Sequence, residues 1–380
     1  MEQTKPRAVV DADGHVVEPS DLWARFLPEK YRARAPRFVV DERGRPCLLI
    51  DDRIAMRAAM LLTLGPSYDF ARLEKARPGG FDPQARLADL DSEGIAAALL
   101  FPSVSLFLAE VEDPALQAAL CSAYNDWLAE YCSTAPTRLL GVAMVPLVDV
   151  DAAVRELERT ADRYKFRGVF VRPNPCAGRS IQHPVYDRFW ACAASLGVPI
   201  CVHEGLSDGL PTLGRERFEN AAVQHVLSHP FEQMAACAGL ILCGVLERHA
   251  RLRVAFLESG SAWLPYWLAC MDSHAEVWGD LFPALREKPS TYFKRQCVVA
   301  TDPEESAVDA VVAHVGAEQI VWSSDYPHPD SHFPGAVEKT LAGLERLDAK
   351  ERELVFSANA ARLFGIDLTA SAPAAARRAG

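Results

Sequence analysis

The chain has 380 residues, 49% of them hydrophobic, enough to bury one large core or two ordinary ones. Its 40 basic and 51 acidic side chains leave a net charge of −11, with no basic stripe and no aromatics set among arginines, which argues against a nucleic-acid partner. No run approaches about 18 apolar residues and the N-terminal segment lacks an apolar signal core, so the expectation is a soluble, cytoplasmic protein with no membrane partner.

In chain order, the first predicted strand covers residues 7–13 and runs into Asp11-Ala12-Asp13-Gly14-His15. Strand side chains alternate faces, so Asp11, Asp13 and His15 are expected on one side. Three such groups are unfavourable against an apolar core unless they meet a cation. An Asp-x-His pair at the end of a first strand is what a metal site at the mouth of a β/α barrel needs; a capped turn is the plainer reading. A long insertion follows, residues 18–90, with a β-hairpin formed by Phe38-Val39-Val40 and Cys47-Leu48-Leu49-Ile50 across a turn at 41–45. Insertions of this kind serve as lids or interface arms.

Further strand-like runs lie at 96–101, 140–146, 168–172, 198–203, 252–258, 297–301 and 320–325. Helical segments separate them, for example Val150, Val154, Leu157, Ala161 and Tyr164 at helical spacing. Eight alternating units predict an α/β fold of the (β/α)8 TIM-barrel type; an open doubly wound sheet is less consistent, because no glycine-rich phosphate loop follows the first strand. A single domain over 1–367 is expected, with 368–380 as a disordered tail. The ten cysteines include no CxxC pair and sit mostly in apolar runs, which excludes a cysteine zinc site and points to a reducing compartment.

The predicted strand ends carry the chemistry. The fourth ends in Arg172-Pro173-Asn174, the fifth in His203-Glu204-Gly205, the sixth in Glu258-Ser259-Gly260 and the eighth in Asp325-Tyr326-Pro327-His328. One charged strand end is unremarkable, but several together at one rim make a site. Asp13, His15, His203 and Asp325 are a plausible shell for one divalent ion, zinc first and manganese or iron as alternatives. Glu258 is either a fifth ligand or a proton-transfer group. Arg172 would clamp a substrate carboxylate, or else pair with a neighbouring acid. His328 and His332 follow the eighth strand and would line the pocket or be solvated. His225 and His229 are four apart, but no glutamate follows the first, so the metalloprotease signature is absent. Trp263, Tyr266 and Trp267 read as core or subunit interface.

The segments Asp-Ala-Asp-Gly-His-Val-Val-Glu-Pro (11–19), Ile-Cys-Val-His (200–203), Phe-Leu-Glu-Ser-Gly-Ser-Ala-Trp-Leu-Pro-Tyr-Trp-Leu (256–268) and Trp-Ser-Ser-Asp-Tyr-Pro-His (322–328), in this order, resemble the amidohydrolase-related branch of the amidohydrolase superfamily. That branch includes aminocarboxymuconate-semialdehyde decarboxylase and γ-resorcylate decarboxylase. The resemblance runs from the first strand to about Gly365. It implies a distorted (β/α)8 barrel with one divalent metal held by Asp13, His15, His203 and Asp325. The better-known decarboxylases resemble one another in a catalytic histidine near the barrel mouth, where this chain has Glu258; His229 is the residue expected to compensate.

Three functional readings follow. The first is a metal-dependent, non-oxidative decarboxylase of a small aromatic or unsaturated carboxylic acid, with Asp325, Glu258 and His229 catalytic and Arg172 and His328 binding substrate. The second is hydrolysis or hydration by a metal-activated water in the same site, and the third a non-catalytic scaffold. The insertion and the Trp/Tyr-rich segment after Glu258 offer surface for a homodimer.

Overall fold

The computed structural model describes residues 6, 8–42, 44, 46–57, 77–328 and 331–371. Its eleven described strands are β1 (Val9–His15), β2 (Arg37–Val40), β3 (Pro46–Ile50), β4 (Arg53–Arg57), β5 (Ile95–Phe101), β6 (Leu139–Ala143), β7 (Gly168–Val171), β8 (Ile200–Val202), β9 (Val254–Phe256), β10 (Cys297–Thr301) and β11 (Ile320–Trp322). Eight form one parallel sheet in the order β1-β5-β6-β7-β8-β9-β10-β11, and helices surround it. This is the expected (β/α)8 barrel. All seven residues of β5, Ile-Ala-Ala-Ala-Leu-Leu-Phe, are buried, the uninterrupted apolar run of a strand covered on both sides.

Local chemistry sets the helices between the strands. Asp82 caps Pro83–Glu93 through the amides of Gln84 and Ala85, and Asp113 caps Pro114–Cys132 through those of Ala115 and Leu116. Each has proline in its first turn, where no intrahelical amide partner is needed. Asp149 and Asn220 cap Val150–Arg159 and Ala221–Leu242 in the same way. No helix among the described residues is long and apolar enough to cross a membrane.

The barrel closes irregularly. No backbone ladder joins β1 to β11; instead the His15 amide donates to Tyr326 O (2.6 Å) and the Asp325 amide to Asp13 O (2.9 Å). Asp11 completes the seam, its carboxylate accepting from the Ser324 amide (3.0 Å) and hydroxyl (2.6 Å). The expectation that Asp11 shares a face with Asp13 and His15 is therefore corrected. A register shift between Asp11 and Gly14 breaks the two-residue alternation, sending Asp11 to the seam while Asp13 and His15 point to the mouth. Gly14 permits this, since a Cβ there would lie 2.5 Å from Arg86 Nη2 and 2.7 Å from Asp11 Oδ2.

The insertion contains more than a hairpin. β2, β3 and β4 form a three-stranded antiparallel sheet, and the Ala55 carbonyl of β4 accepts from the Asp208 amide in the loop after β8. The small sheet thus docks beside the barrel mouth. Two residues of the expected turn, 43 and 45, lie outside the described residues. At the far end of the expected insertion, Pro83–Glu93 is the helix that leads into β5. The tail expected from residue 368 begins instead with a helical turn, Leu368–Ser371, whose Ser371 hydroxyl donates to Thr137 O (2.7 Å); residues 372–380 lie outside the described set.

Candidate metal centre

Asp13, His15, His203 and Glu258 each bring one donor atom to a common point, all within 4.8 Å of one another. β1 supplies the first two, the residue after β8 the third and the second residue after β9 the fourth. His15 Nδ1 lies 2.8 Å from Pro102 O and His203 Nδ1 lies 2.5 Å from Glu204 O. A carbonyl oxygen only accepts, so both Nδ1 atoms carry the proton and both Nε2 lone pairs face inward. These two nitrogens are 3.2 Å apart, with Asp13 Oδ1 at 3.5 and 3.4 Å from them. Glu258 Oε2 is 2.9 Å from His203 Nε2. Neither oxygen of Asp13 accepts a hydrogen bond of normal geometry, nor does Glu258 Oε2, although Asp13 is 1% exposed. Buried carboxylate oxygens and imidazole lone pairs facing one another without donors are the arrangement a divalent cation completes.

The electrostatics agree. Burial pushes the Asp13 carboxyl up, with His203 opposing. Burial also works against charge on His203, but Asp13 and Glu258 outweigh it and hold that imidazole well above its ordinary range. Burial, His328 and His203 together push His15 well down. The buried carboxylates thus favour positive charge at the centre, which His203 takes up as a proton only where no cation does.

Asp325, expected in the same shell, belongs to an overlapping group with His15, Glu258 and His328. Its Oδ1 is 3.4 Å from His15 Nε2 and 2.7 Å from His328 Nδ1. Asp325 and Glu258 both adopt left-handed backbone, φ 54° and 48°, a conformation that strains side chains longer than glycine and concentrates at functional sites. His328 is buried at the centre rather than solvated, its ring 4.0 Å from that of His15. The Ser103 hydroxyl donates its one hydrogen to Val16 O (2.7 Å), so the contact between His328 Nε2 and Ser103 Oγ (2.9 Å) requires that Nε2 donate. His328 Nδ1 then faces Asp325 Oδ1 at 2.7 Å, close enough for a proton to pass between them. His229 stands across from this pair, its Nε2 3.4 Å from Glu258 Oε1. His332 pairs at the surface with Glu304 (3.4 Å).

Of the two readings given for Arg172, the structure displays the pairing with a neighbouring acid. Its side chain is 1% exposed; it bonds Asn174 Oδ1 (3.0 Å) and Gly205 O (2.6 Å) and faces Glu204, itself fully buried, at 3.1 Å. Removing one partner of a buried pair leaves the other charge uncompensated. Arg172→Met is therefore expected to lower unfolding free energy by about 3–5 kcal/mol in denaturant titration. Unchanged stability would return Arg172 to the substrate.

Several functional neighbours carried no readable sequence signal. Glu18, in the insertion, accepts from the amides of Ser103 (3.2 Å), Val104 (2.9 Å) and Ser105 (2.7 Å), fixing the loop that presents Ser103 to His328. Arg86 is wholly buried under the site, donating to His15 O (2.7 Å) and covering the Tyr326 ring at 4.3 Å. Asp302 reaches the cavity wall with its carboxyl pushed up to about 7 by burial and by Glu305. Its position at the end of β10 was the one available hint.

A cavity of about 450 Å³ opens on the cluster, walled by His225, His229, Glu258, Asp302 and Asp325 among others. Among the described residues, no lysine or arginine lines it. A larger cavity, about 620 Å³, lies to one side between Pro173, Thr212, Arg215 and Glu232 and includes none of the donor residues.

The amidohydrolase family profile matches residues 10–366, nearly the whole barrel. The chain belongs to the amidohydrolase family. γ-Resorcylate decarboxylase of Rhizobium radiobacter is 28% identical to this amidohydrolase over 306 residues, covering 74% of this chain and 86% of the relative. Among solved structures, an amidohydrolase from Mycobacterium avium subsp. paratuberculosis K-10 superposes with a TM-score of 0.76 at 25% identity, over 94% of this chain and 99% of that one. The dihydroxybenzoic acid decarboxylase of Polaromonas sp. JS666, solved with manganese and 2-nitroresorcinol, shares the fold at a TM-score of 0.68 and 20% identity, over 94% and 97% of the two chains.

Proposed function

We propose that this amidohydrolase is a metal-dependent, non-oxidative decarboxylase of a small aromatic or unsaturated carboxylic acid. The observation that carries the reading is the close approach of His328 Nδ1 and Asp325 Oδ1 (2.7 Å) at the wall of a cavity beside a cluster of metal donors. The γ-resorcylate decarboxylase relative supports the reaction class. Asp13, His15 and His203 would hold the ion, with Glu258 and Asp325 as neighbouring donors. When bound, a divalent cation supplies positive charge for the substrate carboxylate and an adjacent oxygen.

The chain's own groups then divide the work. His229, on the same cavity wall and 3.4 Å from Glu258 Oε1, meets the anion. The bond from carbon to carboxylate breaks, CO2 leaves, and the electron pair stays on the carbon. Asp325 delivers its proton there, and His328, fixed by Ser103, keeps the carboxyl aimed at it. The two imidazoles favour zinc as the ion; manganese, present in the Polaromonas structure, and iron suit the same donors.

Incubation of the metal-loaded enzyme with 2,6-dihydroxybenzoate and related hydroxybenzoates in D2O is expected to release CO2 and place one deuterium at the vacated carbon. One observation favours hydrolysis or hydration instead: the cavity wall carries Asp302, Glu304 and Glu305, a setting kinder to neutral substrates. That reaction would incorporate 18O from labelled water with no CO2, and such a result would replace the decarboxylase reading.

Cytoplasmic residence fits the ten free thiols. Homodimerisation fits the exposed Tyr266, Val277, Trp278 and Leu281, on or just after the helix Leu264–Val277.

A further inference from the structure

We propose that His225, His229 and Glu258 form a second, weaker divalent-cation site that adjoins the first and shares Glu258 with it. The three residues each present a donor atom within 4.8 Å of the others. His225 and His229 lie four apart on the helix Ala221–Leu242, so their side chains emerge on one face. Their rings stack at 3.9 Å and 30°, both on the cavity wall.

The chemistry of each donor fits. The Nδ1 atom of His229 donates to His225 O (3.1 Å), which orients the ring and turns Nε2 toward Glu258 Oε1 at 3.4 Å. The other oxygen of Glu258 faces His203 at 2.9 Å. One carboxylate therefore offers an oxygen to each cluster, the geometry of a bridging ligand. The strained backbone at Glu258, φ 48°, is what places it between the two.

The second site is expected to be the weaker because it has three donors rather than four, shares one with an ion already present, and lies on the open wall, with His225 only half-buried. The inference builds on the proposed metal centre, not on the reaction. An ion here would occupy the Nε2 atom of His229 that faces the substrate anion, placing it where divalent metal in excess meets the catalytic wall.

The test is Mn2+ binding to the whole enzyme, followed by equilibrium dialysis with elemental analysis and by electron paramagnetic resonance. Wild type is expected to bind a first ion tightly and a second more weakly, the second altering the spectrum of the first through spin coupling across Glu258. His225→Phe keeps a ring stacked on His229 but removes both nitrogens. It should retain the first ion and its circular-dichroism spectrum, and lose the coupled second. Saturation of wild type at one ion, or a coupled second ion surviving in His225→Phe, would overturn the proposal. Neither result depends on turnover, so failure of the decarboxylase assignment is read separately, from CO2 release.

Discussion

Asp325→Asn is expected to lower kcat/KM by about 10²–10⁴-fold, the range spanned by a positioned proton-transfer group. Asparagine keeps the shape and still accepts a hydrogen bond, but it has no carboxyl proton to pass from its place beside His328 Nδ1. The fold should be indifferent to the change. Position 325 has φ 54°, which asparagine tolerates at least as well as aspartate, and the backbone bond from its amide to Asp13 O uses no side-chain atom. Asp325→Ala would confound the experiment, since alanine is strained at that φ. The measurement is turnover alongside thermal melting. Retained turnover with an unchanged melting temperature would remove Asp325 from the reaction.

Stripping the ion with a chelator is expected to abolish activity and to destabilise the barrel. A cation that binds only the folded chain contributes about 4 kcal/mol when present at a thousandfold excess over its Kd. Its loss returns Asp13, His15, His203 and Glu258 to a buried cluster that a proton on His203 neutralises only in part. The sign of the pH effect follows. The folded protein holds His203 well above its ordinary range, so the stabilisation is complete below the ordinary histidine pKa and is lost as pH rises through the elevated one. The ion-free protein should therefore melt several degrees lower than the loaded form, and the gap should widen on the alkaline side. Equal melting curves for chelated and loaded protein, with metal content verified, would contradict the metal centre.

What the chain alone determined is the barrel and most of the rim. Barrel strands of three to seven residues, with helices between them, recur eight times, and short-range patterning suffices to place them, because each strand is buried on both faces wherever it ends up. Asp13, His15, His203, Glu258 and Asp325 were legible for the same reason: each falls at the end of such a run, where a barrel puts its chemistry. The tertiary structure decided what those groups face. A register shift in β1 turned Asp11 away to the closing seam, which no alternation rule anticipates. Glu204 neutralised Arg172 because two loops met, and the local run around Arg172 is the same whether it grips a substrate or a neighbour. Glu18, Arg86 and Ser103 act only through partners distant in sequence, from 71 to 225 residues away, so no local pattern marks them. Hydrophobic periodicity is a property of neighbouring residues and survives in one dimension. Donor–acceptor pairing across a barrel mouth is a property of closure, and exists only once the strands have met.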